Sequence, residues 1–391
     1  MIFQYLPVER IHYGQNVVSK ELIRELKKLD VKRILVVTTN SILKSNSYKS
    51  IINSLKVNHF LTYVTISKQH VPDDVLLNDL IAIKEFNPNL IISCGGGSSI
   101  DAAKILSFVL SEGVQSENDL YLYSENVRKK KIMMQNYIPH FAIPTTLSAS
   151  EFTGIAGVTS RENHLKYKFS HLNMTPKQVF LDPTFTSDTP EWLWLSTGIR
   201  AVDHAVETLY SPIPNPVNTG LALQALKKLY YNLPLSKKHP ENLDYRLECQ
   251  LGAWLSLFSV VNIKLGLSHS IGHQLGAQYN IPHGMTSAIM LPHVMNLLLT
   301  RTNIQQKQIP EVLGKATGVL SEDAEMAPLL IGNLIKDLGI PHRLRDFNVP
   351  KESIPDVVKN ILFDIQGEEN SFVLNTKNLE MEITNLLEAA W

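Results

Sequence analysis

The chain has 391 residues, enough for about two to three domains. Lys and Arg number 37 and Asp and Glu number 37, so the formal net charge is 0, which excludes the basic footprint of a nucleic-acid or anionic-membrane binder. Hydrophobic residues make up 44% and charged residues 19%, which excludes the composition of a disordered chain.

Residues 19–29 carry Leu22, Ile23, Leu26 and Leu29 at three- and four-residue spacing and predict a helix. Residues 33–39 are β-branched and apolar, end in turn formers and predict a strand. The alternation continues with a helix over 48–55, a strand over 60–66, a helix after Pro72 over 75–86 and a buried strand over 90–94. A helix over 98–110 and strands over 139–143 and 179–183 complete it. Strands separated by helical segments of this length imply a parallel, doubly wound sheet.

From Pro190 the pattern is helical nearly to the end, over 191–210, 216–232, 242–266, 268–279, 285–299, 309–317, 324–338, 355–364 and 376–390. Pro, Gly or polar residues interrupt these segments, as stop signals do. The expected fold class is therefore α/β plus all-α, with a parallel-sheet domain over 1–185 and a helical domain over 186–391. Two cysteines, Cys94 and Cys249, make no disulfide framework and no CxxC site, which fits a reducing compartment. The first residues mix acidic and basic side chains with no apolar signal region, and the apolar runs are too short to span a bilayer. A soluble cytoplasmic protein is the expectation.

The segment Leu90 to Lys104 reads strand, glycine turn, helix, with Gly95, Gly96, Gly97 and Ser98 at the junction. Glycines admit an anion close to the backbone, and a helix N-terminus offers free N–H groups and a positive dipole end. A pyrophosphate cradle follows, although a tight turn needing positive φ reads the same way. Asp101 serves equally to tie down the loop or to touch a ligand. A second polar loop, with Thr145, Thr146, Ser148 and Thr153, follows the strand over 139–143. In an open α/β sheet ligands collect beyond the carboxyl ends of strands, so both loops suit one nucleotide; a self-satisfied Ser/Thr turn network is the plainer alternative.

Thirteen histidines include one organised set, His204, His269, His273 and His283. His269 and His273 stand four residues apart on one helix face, and His283 follows on a turn. Neutral imidazoles that converge can bind Zn²⁺ or Fe²⁺, or move protons near neutral pH.

These motifs together (GGGSxxDxAK after a strand, IPTT with a following SE, TGI with a following HAVE, and GLxHxxxHxLGxxxxxPHG) resemble the iron-containing (group III) alcohol dehydrogenase superfamily over nearly the whole chain. The resemblance implies a Rossmann-like N-terminal domain and a C-terminal helical domain, the fold shared with dehydroquinate synthase. It implies a nicotinamide cofactor, NAD(H) or NADP(H), bound by Thr39, Asn40, His70, Gly96, Gly97, Ser98, Asp101, Thr145, Thr146, Ser148, Thr153 and Lys168. It implies a homodimer through the strand near residues 3–13. Within the superfamily, the 145–151 loop and the sequence Gln69-His70-Val71-Pro72 resemble the maleylacetate reductase branch, which reduces maleylacetate to 3-oxoadipate in the degradation of aromatic rings.

One departure stands out. The family holds its metal with one Asp and three His, and the matching residues here are Arg200, His204, His269 and His283. A carboxylate ligand has become a fixed cation. Asp203 is not a simple replacement, because it and His204 point about 100° apart on a helix, and Glu207 is a weak candidate. The site is thus expected to work without Fe²⁺ or Zn²⁺, with Arg200 in the electrostatic role of the ion and suited to a dicarboxylate. His273 is the expected acid, with His269, His283 and Arg200 stabilising negative charge. The alternatives are that His204, His269 and His283 still hold a metal in an alcohol dehydrogenase, or that the chain is an inactive cofactor-binding homologue. Relatives that prefer NAD often carry an Asp after the strand where this chain has Thr39-Asn40, so NADPH is not excluded.

Overall fold

A computed structural model describes residues 2–163, 165–258, 260–366 and 378–391. The chain divides into two compact units, Gln4–Thr189 and Pro190–Trp391, the described residues before Gln4 grouping with the second.

The first unit holds eight strands among its described residues: β1 (Arg10–Tyr13), β2 (Arg33–Thr38), β3 (Leu61–Ile66), β4 (Leu90–Gly95), β5 (His140–Pro144), β6 (Ile155–Thr159), β7 (Lys166–Ser170) and β8 (Gln178–Leu181). Between them lie α1 (Val17–Lys27), α2 (Asn46–Val57), α3 (Asp73–Leu77), α4 (Leu80–Phe86), α5 (Gly97–Glu112) and α6 (Glu117–Tyr121). Six strands form one parallel sheet in the order β1-β8-β5-β4-β2-β3. Side chains alternate along each strand, so β2 sends Ile34 and Val36 to one face and Leu35 and Val37 to the other. The first face packs Leu22, Leu26, Ile51 and Leu55 from α1 and α2; the second packs Ile83, Ile105 and Phe108 from α4 and α5. Both faces are thereby covered, as a parallel sheet requires.

Three local expectations need correction. The helix over 75–86 is two, α3 and α4, broken at Asn78–Asp79, where the Asp79 carboxylate accepts a hydrogen bond from Thr65 on β3. The strand expected near residues 3–13 is confined to β1, Arg10–Tyr13, at the sheet edge, and the antiparallel pair β6–β7 had no counterpart in the sequence reading. The pair is ordinary in strand chemistry, and Ala156, Val158 and Phe169 join the same buried cluster as α5.

The second unit is helical: α7 (Glu191–Leu209), α8 (Pro216–Lys238), α9 (Leu243–Ser256), α10 (Leu267–Tyr279), α11 (His283–Gln306), α12 (Gln308–Val312), α13 (Leu320–Asp337), α14 (Ile354–Gln366) and α15 (Leu379–Ala390). The expected helix over 242–266 stops at Ser256, and Val260–Asn262 forms a separate single turn. Residues 376–377 of the last expected helix lie outside the described residues. His283, expected on a turn, opens α11. Among the described residues, no single helix is long and apolar enough to cross a membrane.

Candidate nucleotide cradle and histidine-arginine cluster

In the first unit the chain runs outward from β2 to β3, then returns to place β4 on the other side of β2 and continues to β5. The junction of β2 and β4 is a topological switch point, where open α/β sheets leave a crevice beyond the strand ends. The structure puts Gly95, Gly96, Gly97 and Ser98 at the end of β4, Thr39 and Asn40 at the end of β2, His70 beyond β3, and Thr145, Thr146 and Ser148 beyond β5. Four adjacent strands thus carry most of the sequence-selected cofactor residues at one sheet edge.

The glycines are there because nothing larger fits. A Cβ on Gly95, whose φ is +155°, would lie 2.4 Å from Ser99 Oγ, and one on Gly96 would lie 2.9 Å from Thr146 Cγ2. Ser99 N–H bonds Gly96 O at 3.0 Å and no side chain caps the helix, which leaves the N–H groups of Gly97 and Ser98 at the start of α5 for an anion.

The loop after β5 is braced from below. Lys104, wholly buried in α5, donates from Nζ to Ser150 O at 2.7 Å, Ile155 O at 2.8 Å, and the hydroxyls of Ser150 and Thr153 at 3.1 Å each. Ser150 in turn donates to Asp101 at 2.5 Å. Asp101 and Thr153, selected as cofactor residues, are therefore engaged in holding the loop. Lys168 lies on β7 and pairs with Glu125 at 3.0 Å. His70 and the β-branched Val71 have φ of 63° and 50°, a left-handed pair that L-residues adopt only where surroundings impose it. Thr159 imposes it here: its hydroxyl donates to His70 O at 2.9 Å and its N–H to Val71 O at 3.1 Å.

In the second unit, Arg200, Asp203, His204 and Glu207 share one buried side of α7 at helical spacing. They meet Ser268, His269 and His273 of α10 and His283 and Ser287 of α11. Close helix approach makes this possible: a Cβ on Gly284 would sit 2.4 Å from Ser196 O, and one on Gly272 would sit 2.8 Å from Thr286 Oγ1. The four histidines gather as expected, with ring centroids 5.0 Å apart for His204 and His269, 6.3 Å for His269 and His273, and 5.4 Å for His273 and His283. His273 is the exposed member.

Arg200 is 9% exposed, and its Nη1 donates to Ser287 Oγ at 3.1 Å and lies 3.6 Å from Asp203 Oδ2. That same Oδ2 accepts from Ser287 Oγ at 2.6 Å and Ser268 Oγ at 3.0 Å. Glu207 accepts from Ser268 N and Gly266 N at 2.8 Å each and from His269 Nδ1 at 2.7 Å. Burial raises both carboxyls; at Asp203 the Glu207 charge adds to this and Arg200 opposes it, while at Glu207 the N–H groups of Gly266 and Ser268, and then Arg200, oppose it. Burial, reinforced by Arg200, holds His204 and His269 well below the ordinary imidazole value, so both rings are neutral.

The sequence reading set Asp203 aside because it and His204 point apart. In the structure the two have different partners: Asp203 faces the two serines, His204 faces His269. Asp203, Glu207 and His269 bring one ligand atom each within 4.8 Å of one another, the one grouping of metal-ligand chemistry found among the described residues. It shares only His269 with the expected ligand set. Most of its atoms are committed, since Asp203 Oδ2 and both Glu207 oxygens already accept hydrogen bonds while Asp203 Oδ1 has no partner among the described residues, and a guanidinium sits at the edge of the group. His204 Nδ1 and His269 Nε2 are buried without hydrogen-bond partners among the described residues. A divalent ion there would find neutral imidazoles and a fixed cation at the position of the anionic ligand. The residues present do not fit a carboxylate-and-three-histidine metal site.

Sequence profiles described as iron-containing alcohol dehydrogenase and as the C-terminal region of the Fe-containing alcohol dehydrogenase family match residues 8–183 and 194–391. The chain is 28% identical over 372 residues to an NAD-dependent methanol dehydrogenase of Bacillus methanolicus, covering 94% of this chain and 96% of that protein. It is 30% identical over 254 residues to a maleylacetate reductase of Delftia acidovorans, covering 65% of this chain and 63% of the relative's length. Among solved structures, a 1,3-propanediol oxidoreductase superposes with a TM-score of 0.90 at 27% identity, covering 100% of both chains. The chain therefore belongs to the iron-containing alcohol dehydrogenase family of oxidoreductases.

Proposed function

We propose that the protein is an NAD(P)H-dependent reductase of an activated carbon–carbon double bond, acting on an unsaturated oxo-dicarboxylate such as maleylacetate to give a 3-oxoadipate-type product without a catalytic metal ion. The observation that carries this reading is Arg200, a buried guanidinium whose one hydrogen bond goes to Ser287 and whose one ion-pair contact is Asp203 at 3.6 Å, with the Glu207 charge farther off. A planar fork with donors to spare pairs with a substrate carboxylate in two parallel hydrogen bonds. A neutral primary alcohol offers it no such partner.

NAD(P)H, when bound, supplies a hydride to the alkene carbon made electrophilic by the conjugated ketone. Arg200 binds and orients a carboxylate and opposes the negative charge that develops on the ketone oxygen. His273, exposed on α10, donates the proton that completes the reduction at the second alkene carbon, and His283 lies beside it. Gly96, Gly97 and Ser98 take the cofactor pyrophosphate, and Thr39 and Asn40 meet the ribose. The assembly in this reading is a homodimer built on β1, which lies at the edge of the sheet.

A second reading, reversible oxidation of a primary alcohol with Fe²⁺ or Zn²⁺, draws on the two orphaned imidazole nitrogens. One experiment separates them: elemental analysis of the purified protein, with NAD(P)H oxidation followed on maleylacetate and on short aldehydes, with and without chelator. Chelator-insensitive maleylacetate reduction by metal-free protein is the expected result. One ion per chain with chelator-sensitive aldehyde reduction would overturn it.

A further inference from the structure

Glu207 takes no part in the reaction as proposed, yet it is wholly buried and makes three hydrogen bonds, all as acceptor. Oε1 faces the N–H of Ser268; Oε2 faces the N–H of Gly266 and the His269 ring. Gly266 is the N-cap of α10 and has no side chain to cap with, so a carboxylate from α7 closes the open turn of α10 in its place. The fit excludes any larger residue at the cap, since a Cβ on Gly266 would lie 2.9 Å from Glu207 Oε1.

We propose that Glu207 is a positioning residue that fixes His269 in its Nδ1–H tautomer and turns the Nε2 lone pair toward the site. The argument is one of donors and acceptors. With each Glu207 oxygen already facing a backbone N–H, the carboxylate meets His269 Nδ1 as an acceptor, and the ring proton belongs on Nδ1. Nε2 then carries only a lone pair, and it has no hydrogen-bond partner among the described residues.

The consequence deepens the proposed reaction and rests on it. An imidazole that presents a lone pair cannot stabilise an oxyanion, so that task falls to Arg200 and His283. His269 instead accepts a hydrogen bond from a donor on the ligand, an enol or hydroxyl O–H. This revises the role that the sequence suggested for His269.

The test uses the full chain labelled with ¹⁵N-histidine, in long-range ¹H–¹⁵N spectra with neither substrate nor cofactor, with His269 assigned by its loss in His269→Asn. The expected wild-type result is a proton on Nδ1. Glu207→Leu should bring out the Nε2–H form and lower kcat for maleylacetate about tenfold to a hundredfold with cofactor affinity unchanged, and Glu207→Asp should restore part of both. A wild-type proton on Nε2 overturns the proposal, whether or not any variant folds. So does Glu207→Leu with the wild-type tautomer and kcat. Because the tautomer is read without turnover, inactivity on maleylacetate would count against the substrate assignment alone.

Discussion

Arg200 and Asp203 share a hydroxyl: Ser287 Oγ accepts from the guanidinium at 3.1 Å and donates to the carboxylate at 2.6 Å, while the charged groups themselves stand 3.6 Å apart. Removing one partner of a buried pair strands the other. Arg200→Met should therefore destabilise the protein by about 3–5 kcal/mol. Arg200→Met combined with Asp203→Asn should lose less than the first change alone, because no carboxylate is then left uncompensated. Urea unfolding of the four proteins of this cycle gives the coupling. Additive losses would show that the two groups do not depend on each other.

The nucleotide cradle makes a graded prediction. A Cβ at position 95 meets Ser99 Oγ at 2.4 Å, whereas one at position 97 meets Ser148 Oγ at 3.2 Å, a contact that a small shift relieves. Ser99 has little freedom to move, since its hydroxyl is 2.9 Å from Ser67 Oγ in the interior. Gly95→Ala should weaken NAD(P)H binding by more than tenfold, and Gly97→Ala by severalfold at most. Fluorescence titration of the reduced cofactor measures both, and the reverse order would mean that this turn is not the pyrophosphate site.

The sheet was legible because its strands carry their own signal. Residues 33–38 and 90–94 are apolar on both faces and lie between helices, and that pattern has few other solutions. By contrast Arg10–Tyr13 alternates weakly, and its place depends on Gln178–Leu181, a partner 168 residues distant in the register Arg10↔Gln178 that local periodicity does not encode. The histidine set was legible for the same reason as the sheet, since spacing on α10 puts His269 and His273 on one face. The partners of Asp203 were not legible, because adjacency on one helix says where side chains diverge and nothing of which neighbours they meet. Glu207 carried a usable signal, a carboxylate seven residues after Arg200 on the same helix face, but its acceptor role needs the N-terminus of α10 to be seen beside it.

Cofactor choice is open to a single change. Thr39 follows β2 with its hydroxyl 3.0 Å from Ser41 Oγ, and Asn40 is exposed beside it, so neither residue after the strand is a carboxylate. Thr39→Asp should raise the ratio of catalytic efficiencies for NADH over NADPH by at least about tenfold, since a carboxylate accepts from the ribose 2′-hydroxyl and repels a 2′-phosphate. An unchanged ratio would remove Thr39 from the cofactor site.

The edge strand β1 is held by an ion cluster that predicts acid sensitivity. Glu25 on α1 is 3% exposed, and its carboxylate accepts from Lys28 and from Arg10 at 2.5 Å each and from Gln178 at 3.2 Å. Burial alone would raise its pKa; the hydrogen bonds from Lys28, Gln178 and Arg10 more than reverse this and bring it down to about 2. In the unfolded chain the same group titrates near 4.3, so between about 4.3 and 2 the unfolded state binds more protons than the native one. The stability that Glu25 contributes is therefore complete above the unfolded value and drains away as pH falls through about 2. Glu25→Gln should be less stable than wild type at pH 6 and should converge with it toward pH 2, which urea midpoints across that range will show. Parallel curves over the whole range would mean that Glu25 ionises alike in both states and that β1 is held by its backbone pairing with β8.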